Sequence, residues 1–239
     1  MKPSTRSFAF SFLVFGIVFS AVAYGLVRLI APPAQSTGYD WGTLLPLPPQ
    51  IGGPIDKADF EAVRAFQKYE GSKRWQQAIF DANADVFAIY RPILGPDFLP
   101  QNEPEIAALL NYADRKLSLA NQEAKKAFKR DRPFIRFMDI RICTKSAPKD
   151  FSYPSGHSAL GWMSAQILAI LKPMHAKAIL ARGREYGESR LVCGVHFPSD
   201  VAGGRNLANV MMANLRSDSE YQRLLAAAKG KQKTRNQNR

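Results

Sequence analysis

The sequence predicts an all-α protein, a single compact helical domain, on three observations. Apolar residues recur at three- and four-residue spacing in segment after segment. No run of useful length alternates with the period of a strand. Clusters of Pro and Gly separate the periodic segments. The 239 residues suit one domain with appendages, and a hydrophobic content of 46% is ordinary for a globular core.

The chain opens on Lys2 and Arg6, followed by a charge-free run of 21 residues from Ser7 to Val27 and then Arg28. Two readings of this segment stay open. In one, residues 1–23 are a signal peptide, with Phe8–Ser20 as its apolar region and Ala21-Val22-Ala23 as the cleavage site. In the other, the run to about residue 30 is an uncleaved anchor just long enough to span a bilayer. The fit of Ala-x-Ala to its position favours cleavage, which would take the net charge from +13 to +11 by removing two cations and no acid. Either way the rest of the chain is expected outside the cytoplasm, periplasmic or secreted, or held at the inner membrane by that helix.

Residues 24–54 read as an extended Pro/Gly-rich arm, unable to form a helix or central strand, with Trp41, Leu44, Leu45 and Leu47 available to pack on the domain. A helical domain is expected over 55–225. Asp56 or Asp59 is placed to cap a helix carrying Phe60, Val63 and Phe66 through to Tyr69. Trp75–Ala88 reads as one further helix, ended by Pro92, Gly95, Pro96 and Pro100. Ile106, Leu109, Leu110, Ala113, Leu117, Ala120, Ala124 and Phe128 then form a long apolar stripe, with Lys125 near its edge. Residues 134–153 are irregular. His157–Leu171 and Ala176–Glu188 are helical on either side of Pro173, a short loop carries Leu191–Phe197, and Ser199 caps a last helix from Asp200 to Leu215. The basic end, 226–239, reads as a disordered tail.

Cys143 and Cys193 fit an oxidising compartment. A bridge between them would close a loop of about 50 residues, worth on the order of 4 kcal/mol in the chain-entropy model. The alternative is two small buried thiols.

Three blocks carry the chemistry: Lys125 through Arg132-Pro133; Pro154-Ser155-Gly156-His157; and Ser189-Arg190 through His196 and Asp200. Phosphoryl transfer spreads negative charge over three equatorial oxygens, so a protein catalysing it must supply fixed cations and N–H donors there. Lys125, Arg132 and Arg190 are such cations. Ser155 adds a hydroxyl, and Gly156 opens a helix whose N-terminus favours an anion. Two histidines remain for two tasks. His196 has Asp200 four residues on, positioned to share a helix face and to fix the imidazole as a nucleophile. His157, at the helix start, suits the general acid and then the base that activates water. That role predicts a rate fastest below neutrality, since an unperturbed imidazole titrates near ~6.5. Lys126, Lys129 and Arg130 read as a solvated basic face, Asp131 and Asp139 as surface or ion-pair residues, and His175 as a plain residue.

Together these blocks resemble the type 2 phosphatidic acid phosphatase superfamily, whose pattern is Lys-x6-Arg-Pro, Pro-Ser-Gly-His and Ser-Arg-x5-His-x3-Asp; every defined position is matched. Phe151 through Ser158 and Gly187 through Val201 are similar to bacterial class A non-specific acid phosphatases, and the likeness extends over about 38–225. It implies a helical fold of the acid phosphatase and vanadium haloperoxidase type. It also implies a periplasmic enzyme hydrolysing many phosphomonoesters through a phosphohistidine, without a metal or other cofactor and with possible phosphotransfer to alcohols. His196 would be the nucleophile, His157 the acid and Asp200 the orienting carboxylate. Lys125, Arg132, Ser155, Gly156 and Arg190 would surround the phosphate, where vanadate should act as an inhibitor.

The expected partners are small-molecule phosphate esters. Nucleic acid is not expected as a specific partner, a membrane enters only if the N-terminal segment is uncleaved, and a homo-oligomer stays open. Three rivals remain. An anchored phosphatase acting on lipid or other envelope phosphates fits the uncleaved N-terminus. A vanadium haloperoxidase fits the anion pocket but not the chain's size. A basic nucleic-acid or envelope-binding protein explains the charge but not the three blocks.

Overall fold

The computed structural model describes residues 36–145 and 147–237, so the N-terminal segment read as a signal peptide or anchor lies outside the described residues. Among these residues there are ten α-helices and no strand: α1 Trp41–Leu44, α2 Pro54–Phe66, α3 Lys73–Asn83, α4 Val86–Leu94, α5 Pro104–Phe128, α6 Pro133–Arg136, α7 Gly156–Leu171, α8 Ala176–Val192, α9 Pro198–Leu215 and α10 Ser219–Gln237. The all-α expectation is met. No helix among the described residues is long and apolar enough to cross a membrane.

The stripe predicted on α5 is the spine of the core. Ile106, Leu109, Leu110, Ala113, Leu117, Ala120 and Ala124 are all buried, and each large aliphatic side chain so placed contributes roughly 1.5–3 kcal/mol. They meet Met163, Ile167 and Leu168 of α7, Leu207, Met211 and Leu215 of α9, and Tyr221 and Leu225 of α10. Two small-residue contacts bring the helices close. A Cβ on Gly204 of α9 would lie 2.4 Å from the Ser155 carbonyl oxygen, so only glycine lets α9 approach the start of α7. One on Gly183 of α8 would lie 2.6 Å from Ala165 Cβ. As a result the C-terminal ends of α5 and α8 and the N-terminal ends of α7 and α9 converge, and these ends carry the three blocks.

Several boundaries differ from expectation, each for a local reason. The segment 75–88 is two helices: Asp85 takes an extended backbone and caps α4 by accepting the Ala88 N–H at 2.8 Å. Pro92 lies inside α4, which ends at Gly95 with φ 96°. In α2 the cap is Gly53; Asp56 lies in the first turn and accepts the Gly52 N–H at 2.9 Å, while Asp59 is buried within the helix. Helix α8 runs on to Val192, and α9 starts at Pro198 after Phe197. The arm forms one helical turn capped by Asp40. Trp41 and Leu45 pack inward, whereas Leu44 and Leu47 stay exposed. The arm is tied down where Thr37 N–H and Trp41 Nε1 donate to Glu123 of α5, at 2.9 and 3.4 Å.

The basic end departs furthest from its expectation. Residues 226–237 continue α10 rather than forming a disordered tail. Ala, Lys and Gln are good helix formers, and Leu225 and Ala228 bury against the core, so packing adds to propensity. Asp218 starts the helix by accepting the Tyr221 N–H at 2.9 Å, and Tyr112 of α5 donates its hydroxyl to the same carboxylate.

Cys143 and Cys193 form the expected disulfide, with Cα atoms 4.6 Å apart. It joins the irregular 137–155 segment to the loop between α8 and α9, three residues before His196.

Candidate active site

The converging helix ends enclose a pocket of about 150 Å³ lined by Lys125, Arg132, Gly156, His157, Arg190 and His196, with Asn121, Pro148 and Asp150. Six of the eight residues singled out from the sequence are therefore brought to one small space. Asp200 stands behind His196. Ser155 stands behind Gly156, where it caps α7: its Oγ accepts the Ser158 N–H at 3.4 Å, and its hydroxyl proton is left for another acceptor. Gly156 faces Asn121, whose Oδ1 would be 3.0 Å from any added Cβ.

His196 is 2% exposed and sits in the loop before α9, not on the helix itself. Asp200 folds back from the first turn to meet it. One carboxylate oxygen accepts the Phe197 N–H at 2.8 Å and the Ser152 hydroxyl at 2.5 Å, and lies 3.5 Å from His196 Nδ1. On the far side of the ring, Nε2 is 3.1 Å from Arg132 Nη1. A guanidinium can only donate, so Nε2 must be the acceptor and the ring proton lies on Nδ1, toward Asp200 and Ser152. Burial, followed by the charges of Arg132, Lys125 and Arg190, holds this imidazole well below its ordinary pKa. It is a neutral base whose Nε2 is held on the pocket side by Arg132.

His157 has a different setting. Its Nε2 is 3.4 Å from the Ala82 carbonyl, which can only accept, so Nε2 carries the proton and Nδ1 is left for chemistry. The ring stacks on Tyr186 at 5.7 Å. Desolvation and the nearby Arg190 push its pKa down to about 3. His157 is thereby favoured as the neutral imidazole.

The cations differ in how they are held. Arg132 donates Nε to the Asp150 carbonyl at 2.8 Å and Nη1 to the Val195 carbonyl at 2.8 Å. Lys125 donates to the Phe151 carbonyl and pairs with Asp150 at 3.1 Å; burial pushes its pKa down to about 8. Arg190 is 2% exposed, yet its Nε and Nη1 make no hydrogen bond. Buried donors without partners are costly. Arg190 lines the pocket beside Lys125 and Arg132, so three cationic side chains converge there.

Several site residues escaped sequence reasoning. Arg130, read as part of a solvated face, is 6% exposed and lies under the site. Its Nη1 donates to Asp200 at 2.6 Å and to Ser199 at 2.5 Å, its Nη2 pairs with Asp59 at 2.8 Å, and its plane stacks 4.3 Å from the Phe197 ring centre. Asp56 extends the chain, pairing with Arg130 at 3.4 Å and in a two-pronged grip with Arg136 at 2.6 and 2.8 Å. Arg136 holds the Asp56 carboxyl far below the usual carboxylate range. The turn that inverts Arg130 is made at Lys129, which adopts φ 49° at the end of α5. Asp56 and Asp59, three apart on one helix face, are the sole sequence signal that a buried cation is needed. Ser152 and Asp150 carry no such signal.

A family model described as the PAP2 superfamily matches residues 108–222, a span that contains all three blocks. A non-specific acid phosphatase of Providencia stuartii is 37% identical over 206 residues, covering 82% of each chain. One of Salmonella typhimurium is 33% identical over 226 residues, covering 90% of this chain and 89% of its own. An acid phosphatase of Zymomonas mobilis is 36% identical over 189 residues, covering 76% and 71%. Fold, pocket and relatives together define a phosphatase. The chain belongs to the PAP2 superfamily, and non-specific acid phosphatases are among its relatives.

Proposed function

We propose that the enzyme hydrolyses phosphate monoesters of broad specificity by way of a phosphohistidine on His196, outside the cytoplasm. The observation that carries this reading is the setting of His196: Nδ1 lies 3.5 Å from the Asp200 carboxylate, and Nε2 faces Arg132 in a pocket that also holds Lys125 and Arg190. In the first step Nε2 attacks phosphorus and the ester P–O bond breaks, while the leaving alkoxide takes a proton through His157 Nδ1. Asp200 stabilises the positive charge that develops on the His196 ring. In the second step His157, now neutral, accepts a proton from water, whose oxygen attacks phosphorus. The P–N bond breaks and orthophosphate forms. Lys125, Arg132 and Arg190 hold the equatorial oxygens throughout.

Breadth of specificity follows from size. A pocket of about 150 Å³ suits a phosphoryl group and leaves the alcohol outside. A second reading has one supporting observation. Phe134, Ile135, Pro148 and Phe151 line an adjoining groove that shares Arg132 and Asp150 with the pocket, and its apolar wall would accept an aromatic or lipid-like leaving group. Export rests on residues 1–23 and on the disulfide, which suits an oxidising compartment.

The test is a panel of nucleotides, sugar phosphates, aryl phosphates and short-chain lipid phosphates, assayed with and without vanadate. Comparable turnover across the soluble esters with vanadate inhibition supports the proposal. Turnover of lipid phosphates alone would replace it with the second reading. Halide oxidation on adding vanadate and peroxide would replace it with haloperoxidase chemistry.

A further inference from the structure

Two of the three pocket cations, Lys125 and Arg132, are already engaged by an anion that belongs to the protein. Asp150 places one carboxylate oxygen 2.6 Å from Arg132 Nη2 and the other 3.1 Å from Lys125 Nζ. These are the distances and the two-point geometry that a bound phosphate would use. The partners are unequal in exposure: the Lys125 and Arg132 side chains are 6% and 5% exposed, and that of Asp150 is 56% exposed. Asp150 is thus the solvent-side member of the cluster and lies on the wall of the pocket.

The carboxylate is not needed to hold the cations in place. Arg132 is fixed by the carbonyls of Asp150, Phe151 and Val195, at 2.8, 3.3 and 2.8 Å, and Lys125 by the carbonyl of Phe151. Removing the side-chain charge leaves those backbone acceptors intact. We infer that Asp150 is a resident competitor for the phosphate site, a carboxylate that substrate phosphate must displace from Lys125 and Arg132 and that returns to help expel orthophosphate. It therefore sets affinity for phosphate and the rate of product release.

This inference rests on the pocket being a phosphate site. Desolvation opposes ionisation of Asp150, but Lys125 and Arg132 outweigh it and keep the carboxyl below its ordinary pKa. The competitor is charged at the pH where phosphatases of this kind work, so substrate must displace it as an anion.

The experiment measures orthophosphate binding by calorimetry, and product inhibition in steady state, for the full chain and for Asp150→Asn and Asp150→Ala. Both variants are expected to bind orthophosphate about tenfold or more tightly, with KM lowered in step and product release slowed. Added formate, refilling the vacated position, should weaken phosphate binding in Asp150→Ala and leave the unmodified enzyme unaffected. Equal or weaker phosphate binding in both variants would overturn the inference and make Asp150 a scaffold for the two cations. That outcome is distinct from failure of the phosphate-site reading, in which the unmodified enzyme and both variants would all fail to bind orthophosphate.

Discussion

Behind His196 stands a chain of charge, and behind His157 there is none. From His196 the contacts run through Asp200 to Arg130, then to Asp59 and Asp56, and end at Arg136. His157 is backed by a carbonyl, the Tyr186 ring and the unpartnered Arg190. Both imidazoles are held below their ordinary pKa, yet their environments differ in what they can stabilise. His196 can accept a bond at Nε2 because a carboxylate awaits the positive charge. His157 has no carboxylate to hold a proton, so it passes one on readily. In the proposed mechanism, two identical side chains on one pocket become nucleophile and acid through what lies behind them.

The largest test of this asymmetry is deletion of each ring. His196→Ala removes the atom that bonds phosphorus, so turnover should fall by at least about 10⁴-fold for every ester, with no acid-labile phosphoenzyme on rapid quenching. Full activity in that variant would end the phosphohistidine proposal. His157→Ala should cost about 10²–10⁴-fold, and the loss should depend on the alcohol. Alkyl phosphates need a proton on the departing oxygen, whereas a 4-nitrophenyl ester needs it far less. Equal losses for both would remove His157 from the acid role.

The next test cuts the chain of charge beneath His196. Arg130→Ala would leave Asp59 and Asp200 buried without their shared cation, a change worth about 3–5 kcal/mol of stability, readable by chemical denaturation. Arg130→Lys should recover only part of it, because one ammonium cannot reach Ser199, Asp59 and Asp200 with the geometry of a planar fork. Since the Arg130 guanidinium reaches His196 through Asp200 and makes no contact with His157, the kcat loss in Arg130→Lys should be the same for alkyl and aryl esters. A leaving-group dependence like that of His157→Ala would contradict the assigned order of contacts.

The contrast between the histidines was half legible in the sequence. Spacing placed Asp200 behind His196, because four residues bring a side chain back to its neighbour even though His196 proved to lie in the loop before the helix. The helical stripes and the disulfide were legible for similar reasons, one from periodicity and one from the presence of two cysteines in the chain. Arg130 was not, since it follows a run of lysines and its burial depends on the left-handed turn at Lys129 and on acids contributed by α2, more than seventy residues earlier. The separation of α3 from α4 was hidden because Asp85 gives the same apolar pattern whether it continues a helix or caps one. Helix α10 was hidden because the basic composition of its end masks a short apolar face, Tyr221, Leu225 and Ala228, that the core covers.

The smallest predicted effect concerns pH, and it separates two sources of the same proton. With its pKa pushed down to about 3, His157 in the free enzyme is neutral at pH 5 to 6. A phosphate monoester has a second pKa of about 6, so below that value it arrives as a monoanion carrying a proton. Monoanion plus neutral His157 has the same composition as dianion plus protonated His157, and transfer to Nδ1 within the complex converts one into the other. The dianion then formed offsets the repulsion from Arg190 that depresses His157. Hence kcat/KM should be level at mildly acid pH and fall about tenfold per unit above about pH 6. The falling limb should move with the phosphate's own pKa when esters of different acidity are compared. A limb near pH 3, unchanged across esters, would instead assign the proton to the free enzyme's His157. A rate rising to alkaline pH would show that no proton reaches the leaving group, and the functional difference between the two rings would then have no chemical consequence.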